Sequence, residues 1–219
     1  IQVGIYHTLK VLRKVNFGFY LDDGGKGILL PKRFAPKTLR VGDELKVFLY
    51  HDNEGRTIAT TEFPKAIVGD IVLLKCVSIT SAGAFLDWGI MKDIFVAKSQ
   101  QLTGMHVGGK YLVKIYIDKQ TNRVAATEKI DIQLNNETLT VKELDQVDLI
   151  VYRKTDIGYV MIINNTHIGV LHNNELFCNI KIGDSLKGFI KKILPNNKID
   201  VVLGKPGYQK VEDELGKII

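Results

Sequence analysis

The chain has 219 residues, of which 45% are hydrophobic and 25% charged, a composition that excludes a disordered protein. No apolar run reaches the roughly 18 residues a membrane helix needs; the longest, such as 148–152 and 159–163, are strand length. The formal net charge is +6, and it is concentrated: residues 1–65 carry 11 basic and 7 acidic side chains, residues 66–140 carry 8 and 7, and residues 141–219 carry 11 and 10. A mild basic excess fits nucleic-acid binding and fits a mixed soluble surface equally well. The two cysteines, Cys76 and Cys178, lie in different parts of the chain and form no disulfide framework, which points to a reducing cytoplasm. Cys76, inside the apolar run 71–77, reads as a core residue. The chain opens Ile1-Gln2-Val3-Gly4 with no signal-peptide pattern, and residue 1 is not read as the natural start.

Taken in chain order, the first predicted strands are 6–14, 18–22, 27–30, 44–51 and 57–61. Several alternate apolar and polar residues as half-buried strands do, Lys46-Val47-Phe48-Leu49-Tyr50 among them. Asp22-Asp23-Gly24-Gly25 and Asp52-Asn53-Glu54-Gly55 supply turns. The second set is 70–79, 84–88, 93–96, 111–118 and 123–127, and the third is 147–154, 159–163, 169–171, 185–194 and 198–203. Between the third and fourth strand of each set lies a polar stretch, 31–40, 97–106 or 173–181, with room for a short helix or 3-10 turn. Past Leu203, Gly204-Lys205-Pro206-Gly207 is a break, and Val211, Leu215, Ile218 and Ile219 then mark one face of a helix.

The three sets are copies of one unit. Each last long strand is launched by an apolar-Gly-(Asp/Gly) step: Val41-Gly42-Asp43, Val107-Gly108-Gly109 and Ile182-Gly183-Asp184. Five short strands with a break after the third is the pattern of an OB-type barrel, in which closure removes the open edges of a small sheet. The predicted fold is all-β: three tandem five-stranded barrels over residues 1–65, 66–135 and 140–206, with a short C-terminal helix over 207–219.

The middle strands carry a resemblance. Phe17-Gly18-Phe19-Tyr20-Leu21 with Gly27-Ile28-Leu29-Leu30, Ala82-Gly83-Ala84-Phe85-Leu86 with Asp93-Ile94-Phe95-Val96, and Ile157-Gly158-Tyr159-Val160-Met161 with Gly169-Val170-Leu171-His172 resemble the S1 family of RNA-binding barrels. Trp88-Gly89, Lys92-Asp93-Ile94-Phe95-Val96, Tyr116-Ile117-Asp118, Arg123 and Lys198-Ile199-Asp200-Val201 further resemble the bacterial conserved virulence factor B family. That likeness implies three S1-like barrels followed by a winged-helix domain, whose first element the 207–219 helix would be, and an association with RNA binding and post-transcriptional regulation.

The S1 resemblance implies an RNA face of two middle-strand aromatics, a strand-three His, and an Asp and Arg flanking the last turn. The chemistry is stacking, at roughly 1–3 kcal/mol per base, plus phosphate attraction and a flat guanidinium. The first barrel offers Phe17, Tyr20, Asp52 and Arg56, with Leu30 at the His position and Lys10, Arg13 and Lys14 to track phosphates. The second offers Phe85, Asp118 and Arg123, with Ala82 and Val96 elsewhere; the third keeps His172, with Ile157 and Val160 replacing both rings and Lys198 near the Arg place. Strand parity puts Phe19 in the core and Tyr20 on the surface. Phe85 is equally suited to packing on a neighbouring barrel, Arg56 and Arg123 to pairing with Asp52 and Asp118, His172 to a satisfied strand end, and Trp88 to plugging two domains together.

Other chemistry is set aside. Gly104–Lys110 has phosphate-loop spacing up to its Lys, but Tyr111 follows where Ser or Thr belongs, and the segment leads into a strand rather than a helix. His167, His172 and Cys178 lack a second Cys for zinc, and no nucleophile elbow is present. The expected function is a non-catalytic, cytoplasmic RNA-binding protein, without cofactor or metal. It is expected to act on single-stranded RNA as a post-transcriptional or translational regulator, with ribosome or RNA polymerase components as further partners. The alternative is a protein-interaction scaffold contacting the transcription or translation machinery through apolar surface such as Phe95 and Val96.

Overall fold

The computed structural model describes residues 1–204; the helix expected over 207–219 lies outside the described residues. The described chain is all-β and forms three five-stranded barrels. The first is β1 (Tyr6–Val15), β2 (Gly18–Leu21), β3 (Ile28–Pro31), β4 (Glu44–His51) and β5 (Thr57–Thr60). The second is β6 (Ile71–Ile79), β7 (Gly83–Leu86), β8 (Ile94–Ala97), β9 (Lys110–Ile117) and β10 (Val124–Thr127). The third is β11 (Gln146–Thr155), β12 (Gly158–Ile163), β13 (His167–His172), β14 (Ser185–Ile193) and β15 (Ile199–Val202). The first and third sheets close in the order 1-2-3-5-4; the second has the same order, with β10 beside β8 but no ladder between them. A 3-10 turn follows the third strand of each barrel, at Lys32–Phe34, Lys98–Gln100 and Asn173–Glu175.

Local geometry explains the repeated residues. A Cβ at Gly18, Gly83 or Gly158 would fall 2.1, 2.2 or 2.0 Å from the carbonyl oxygen of Leu30, Val96 or Leu171, so the second strand meets the third only where a side chain is missing. A bulge interrupts the first long strand at the same place in each barrel, between Val11 and Arg13, Cys76 and Ser78, and Val151 and Arg153. It adds the bend that closure requires. The Gly-Asp step is a turn: Gly42 and Gly183 adopt φ +95° and +92°, and the Asp43 and Asp184 carboxylates accept the backbone N–H of Arg40 and Lys181. Val68-Gly69-Asp70 and Glu143-Leu144-Asp145 are built alike and enter β6 and β11, so the step opens long strands generally.

Residues 1–128 form one compact unit and the described residues from 129 onward another. Within the first, the barrel-one core (Val11, Leu21, Leu30, Val47, Leu49) is separate from a larger core centred on barrel two. That larger core also contains Phe48, Tyr50 and Ile58 of barrel one. Within the segment 46–50, expected to alternate, Lys46 is exposed but residues 47–50 are buried on both faces: Val47 and Leu49 point into their own barrel, Phe48 and Tyr50 into the next. Trp88 completes the joint, buried with its ring 5.3 Å edge-on from Phe48 and its Nε1–H donating to the Ala66 carbonyl at 2.7 Å. The linker is tied down as well, with Lys65 N–H to the Trp88 carbonyl, Val68 N–H to the Gly4 carbonyl, and Met91 N–H to the Glu62 carboxylate. Cys76 is fully buried, and burial pushes its thiol up.

The third barrel has its own core, built from Val147, Leu149 and Val151 on β11 with Met161, Ile163, Leu171 and Val201. His167 is buried there, its Nδ1 donating to the Asn135 carbonyl and its Nε2 accepting the Thr140 N–H at 3.1 Å.

Candidate functional site

Three candidate residues of barrel one, Phe17, Tyr20 and Arg13, meet on one face. Phe17, 58% exposed, stands edge-on to Tyr20 at 6.5 Å, and the Arg13 guanidinium lies 4.1 Å over the Tyr20 ring. The bulge after Val11 is what puts Arg13 opposite Tyr20. Phe19 points the other way, into the core. Lys14 pairs with Phe19 rather than Tyr20 and lines a separate groove with Lys32 and Lys37, and Lys10 is exposed on β1 opposite Glu44.

Asp52 and Arg56 brace the β4–β5 turn. Asp52 accepts the backbone N–H groups of Glu54 and Arg56 at 2.9 Å each, and the Arg56 guanidinium reaches Asp52 at 2.7 Å and Glu54 at 2.9 Å. Burial pushes the Asp52 carboxyl up, but those N–H groups and the guanidinium outweigh it and hold the group below the usual carboxylate range. Asp118 braces the matching turn of barrel two through the N–H groups of Gln120 and Thr121. Arg123 makes no ion pair with Asp118 among the described residues; it lies over the first barrel's turn, its Nη2 2.9 Å from where a Gly55 Cβ would be.

Strand pairing corrects the position assigned to the family's His. Gly18 pairs with Pro31, Gly83 with Ala97 and Gly158 with His172. Pro31 and Ala97 therefore match His172, while Leu30 and Val96, read earlier at that place, are both wholly buried in their barrels. Val96 is accordingly no surface for a partner. The His172 Nε2–H donates to Asp200 Oδ1, 3.0 Å away. In barrel three Val160 is buried at the Tyr20 position, and Arg153, the counterpart of Arg13, turns to Asp131 at 3.7 Å.

Phe85 joins the first two barrels' faces. It is half-exposed, 5.1 Å from Phe95, and lines two adjoining depressions. One is a cleft of about 810 Å³ bordered by Arg33, Tyr50, Asp52, Arg56 and Lys92. The other is a deeper cavity of about 470 Å³ under the first barrel's turn, bordered by His51, Trp88, Phe95, Tyr116 and Arg123. Lys92 stands between them, its ammonium donating to the His51 and Asp52 carbonyls at 2.5 and 2.9 Å. Burial and the Arg123 charge lower the Lys92 ammonium, with Asp52 opposing. His51 is likewise pushed down by burial and by Lys92 and Arg123, and its Nδ1 is buried without a partner among the described residues. Lys92, His51 and Tyr116 were not read as site residues, and Phe95 only as apolar surface for a protein partner; the fold of barrel two brings Lys92, Phe95 and Tyr116 to Phe85, and the joint with barrel one adds His51. Gly108 and Gly109 turn into β9, a strand, so the 104–110 segment opens no helix.

Comparison with known proteins agrees with this architecture. The chain is 27% identical over 206 residues to the uncharacterized protein YitL of Bacillus subtilis (strain 168), covering 90% of this chain and 68% of that protein. Its fold is similar to the crystal structure of a multidomain protein with nucleic acid binding domains from Streptococcus pneumoniae TIGR4. That match has a TM-score of 0.52 and 16% identity, and covers 98% of this chain and 81% of that one. The family model described as S1 domain matches residues 3–62 and again 68–128, the first two barrels in turn, and the chain belongs to the S1 domain family.

Proposed function

We propose that the chain is a non-catalytic RNA-binding protein whose first two barrels grip one single strand. The observation that carries this reading is a cleft shared by both barrels, bordered by Arg33 and Arg56 of the first and by Lys92 and Phe85 of the second, with the Phe17–Tyr20 pair on the first barrel and Phe95 beside Phe85 on the second. Exposed rings stack bases with little sequence preference, and the interleaved cations attract the phosphates. Membership of the S1 domain family and the fold shared with a protein that has nucleic acid binding domains support it. The fixed joint between the barrels holds the second face at high effective concentration once the first is occupied. Resemblance to the conserved virulence factor B family is the ground for assigning a post-transcriptional regulatory role in the cytoplasm.

Fluorescence anisotropy of the chain with labelled single-stranded RNA, at two salt concentrations, tests the reading. Binding that weakens with salt, and weakens further in the Phe17→Ala, Tyr20→Ala double variant, is the expected result. Absence of binding at low salt overturns it.

A further inference from the structure

Strand pairing puts three alanines at one spot in barrel two. Ala82 precedes Gly83 as Phe17 and Ile157 precede Gly18 and Gly158. Ala97 matches Pro31 and His172. Ala125, opposite Tyr116, matches Ile58, opposite Tyr50, and Asp200, opposite Lys192. Barrels one and three thus carry bulk at all three positions where barrel two carries a methyl group. All three alanines line the 470 Å³ cavity. The volume lies within the ordinary range of small-ligand sites.

The walls and rim differ in chemistry. Phe85 and Phe95 form an aromatic wall, with Tyr116 and the buried Trp88 also facing the space. Positive charge sits where barrel one meets the opening: Lys92, fixed by two carbonyls, and Arg123, which has no carboxylate partner among the described residues. Asp93 and Asp118 line the same cavity and disfavour an anion inside it. A ligand that suits all of these is flat, aromatic and uncharged at one end and anionic at the other.

We propose that this cavity is a socket for one everted nucleobase, its ring against Phe85 and Phe95 and its phosphate at the rim beside Arg123 and Lys92. The inference rests on the RNA reading above and adds to it a place where a single base leaves the stack, as bases do when a protein pocket takes one out of line. Barrel one offers a stacking surface; barrel two, with barrel one's turn as its roof, offers a hole. The base comes from a bound strand or from a free mononucleotide, which share this chemistry.

Trp88 is the chain's only tryptophan and lines the socket, so its emission reports on occupancy. The experiment titrates the full chain with a labelled single-stranded RNA of mixed sequence, the same RNA with one abasic nucleotide, and AMP or UMP alone, following anisotropy and Trp88 emission. Two variants fill the socket: Ala125→Leu, and Ala82→Phe at an exposed position that restores the barrel-one residue. The expected result is that RNA quenches Trp88. Both variants should abolish the quench and weaken RNA binding about fivefold to a hundredfold, with unchanged thermal melting. If RNA binds while Trp88 emission stays constant and both variants bind like the parent, the socket is overturned and the RNA reading stands. If AMP or UMP quenches Trp88, the variants abolish it and RNA does not bind, the socket stands and the strand reading falls. If no probe binds, both fall.

Discussion

The Tyr111 hydroxyl occupies the space that a side chain at Gly109 would need: a Cβ there would lie 2.6 Å from it. That hydroxyl accepts the His106 backbone N–H at 2.9 Å, the bond that the Asp carboxylate makes in the other turns of this kind. A phenol reaching back from two residues ahead replaces the missing carboxylate, and the glycine is what lets it in.

Gly109→Asp alone is therefore expected to destabilise the chain by about 1–3 kcal/mol, as overpacking does. Gly109→Asp combined with Tyr111→Val restores most of the loss, because the carboxylate takes over the His106 N–H. Urea denaturation of the two single variants and the double variant gives the coupling; additive losses would refute the replacement.

Leu144 adopts φ +72° at the position where Gly42, Gly69 and Gly183 sit in the sister turns, and it is 68% exposed. A branched-chain residue there carries backbone strain that no packing repays. Leu144→Gly is expected to stabilise residues 129–204 by about 1 kcal/mol, seen as a thermal midpoint raised by a few degrees.

The joint between the first two barrels predicts a shared unfolding transition. Trp88→Ala removes a buried ring from Phe48 and leaves the Ala66 carbonyl without its donor, at a cost of about 3–5 kcal/mol. Circular dichroism melts should show residues 1–128 losing both barrels together in the parent and separately in the variant.

His51 sets a pH dependence. Burial, then the Lys92 and Arg123 charges, lower its folded pKa below the ordinary 6.5, while Asp52 acts the other way. The unfolded chain then binds the proton first, so stability is full above 6.5 and falls as the pH drops through the folded value. His51→Phe should flatten that acid limb in denaturation curves collected between about pH 7 and pH 5.

The two turn arginines should separate in RNA binding. Arg56 is held by Asp52 and Glu54, whereas Arg123 has no ion pair among the described residues. Arg123→Ala should reduce the salt slope of single-stranded RNA binding by roughly 0.7, as loss of one phosphate contact does, and Arg56→Ala by less. Equal slopes for the two variants would refute the difference.

Much of the barrel framework was legible because local rules set it. The strands begin and end within a residue or two of the periodic runs for most elements, and Gly18, Gly83 and Gly158 mark where the second strand presses on the third. Less legible was anything a neighbour decides. Phe48 and Tyr50 read as members of an alternating strand because the second barrel that covers them lies beyond any local window. The third-strand register slipped by one because Ile28-Leu29-Leu30-Pro31 is apolar throughout and has no period to fix its faces. Ala82, Ala97 and Ala125 gave no signal, since a cavity is made by atoms that are missing. Arg56 and Arg123 occupy equivalent turns, and only the fold shows that one is paired and the other is not.

Because Phe48, Trp88 and the 62–68 crossing are shared property, the smallest heritable piece here is two barrels, although the sequence repeats in ones. A cut within that crossing would leave each half with a raw apolar scar, so duplication, deletion or transplantation of this region should break cleanly only near residue 128.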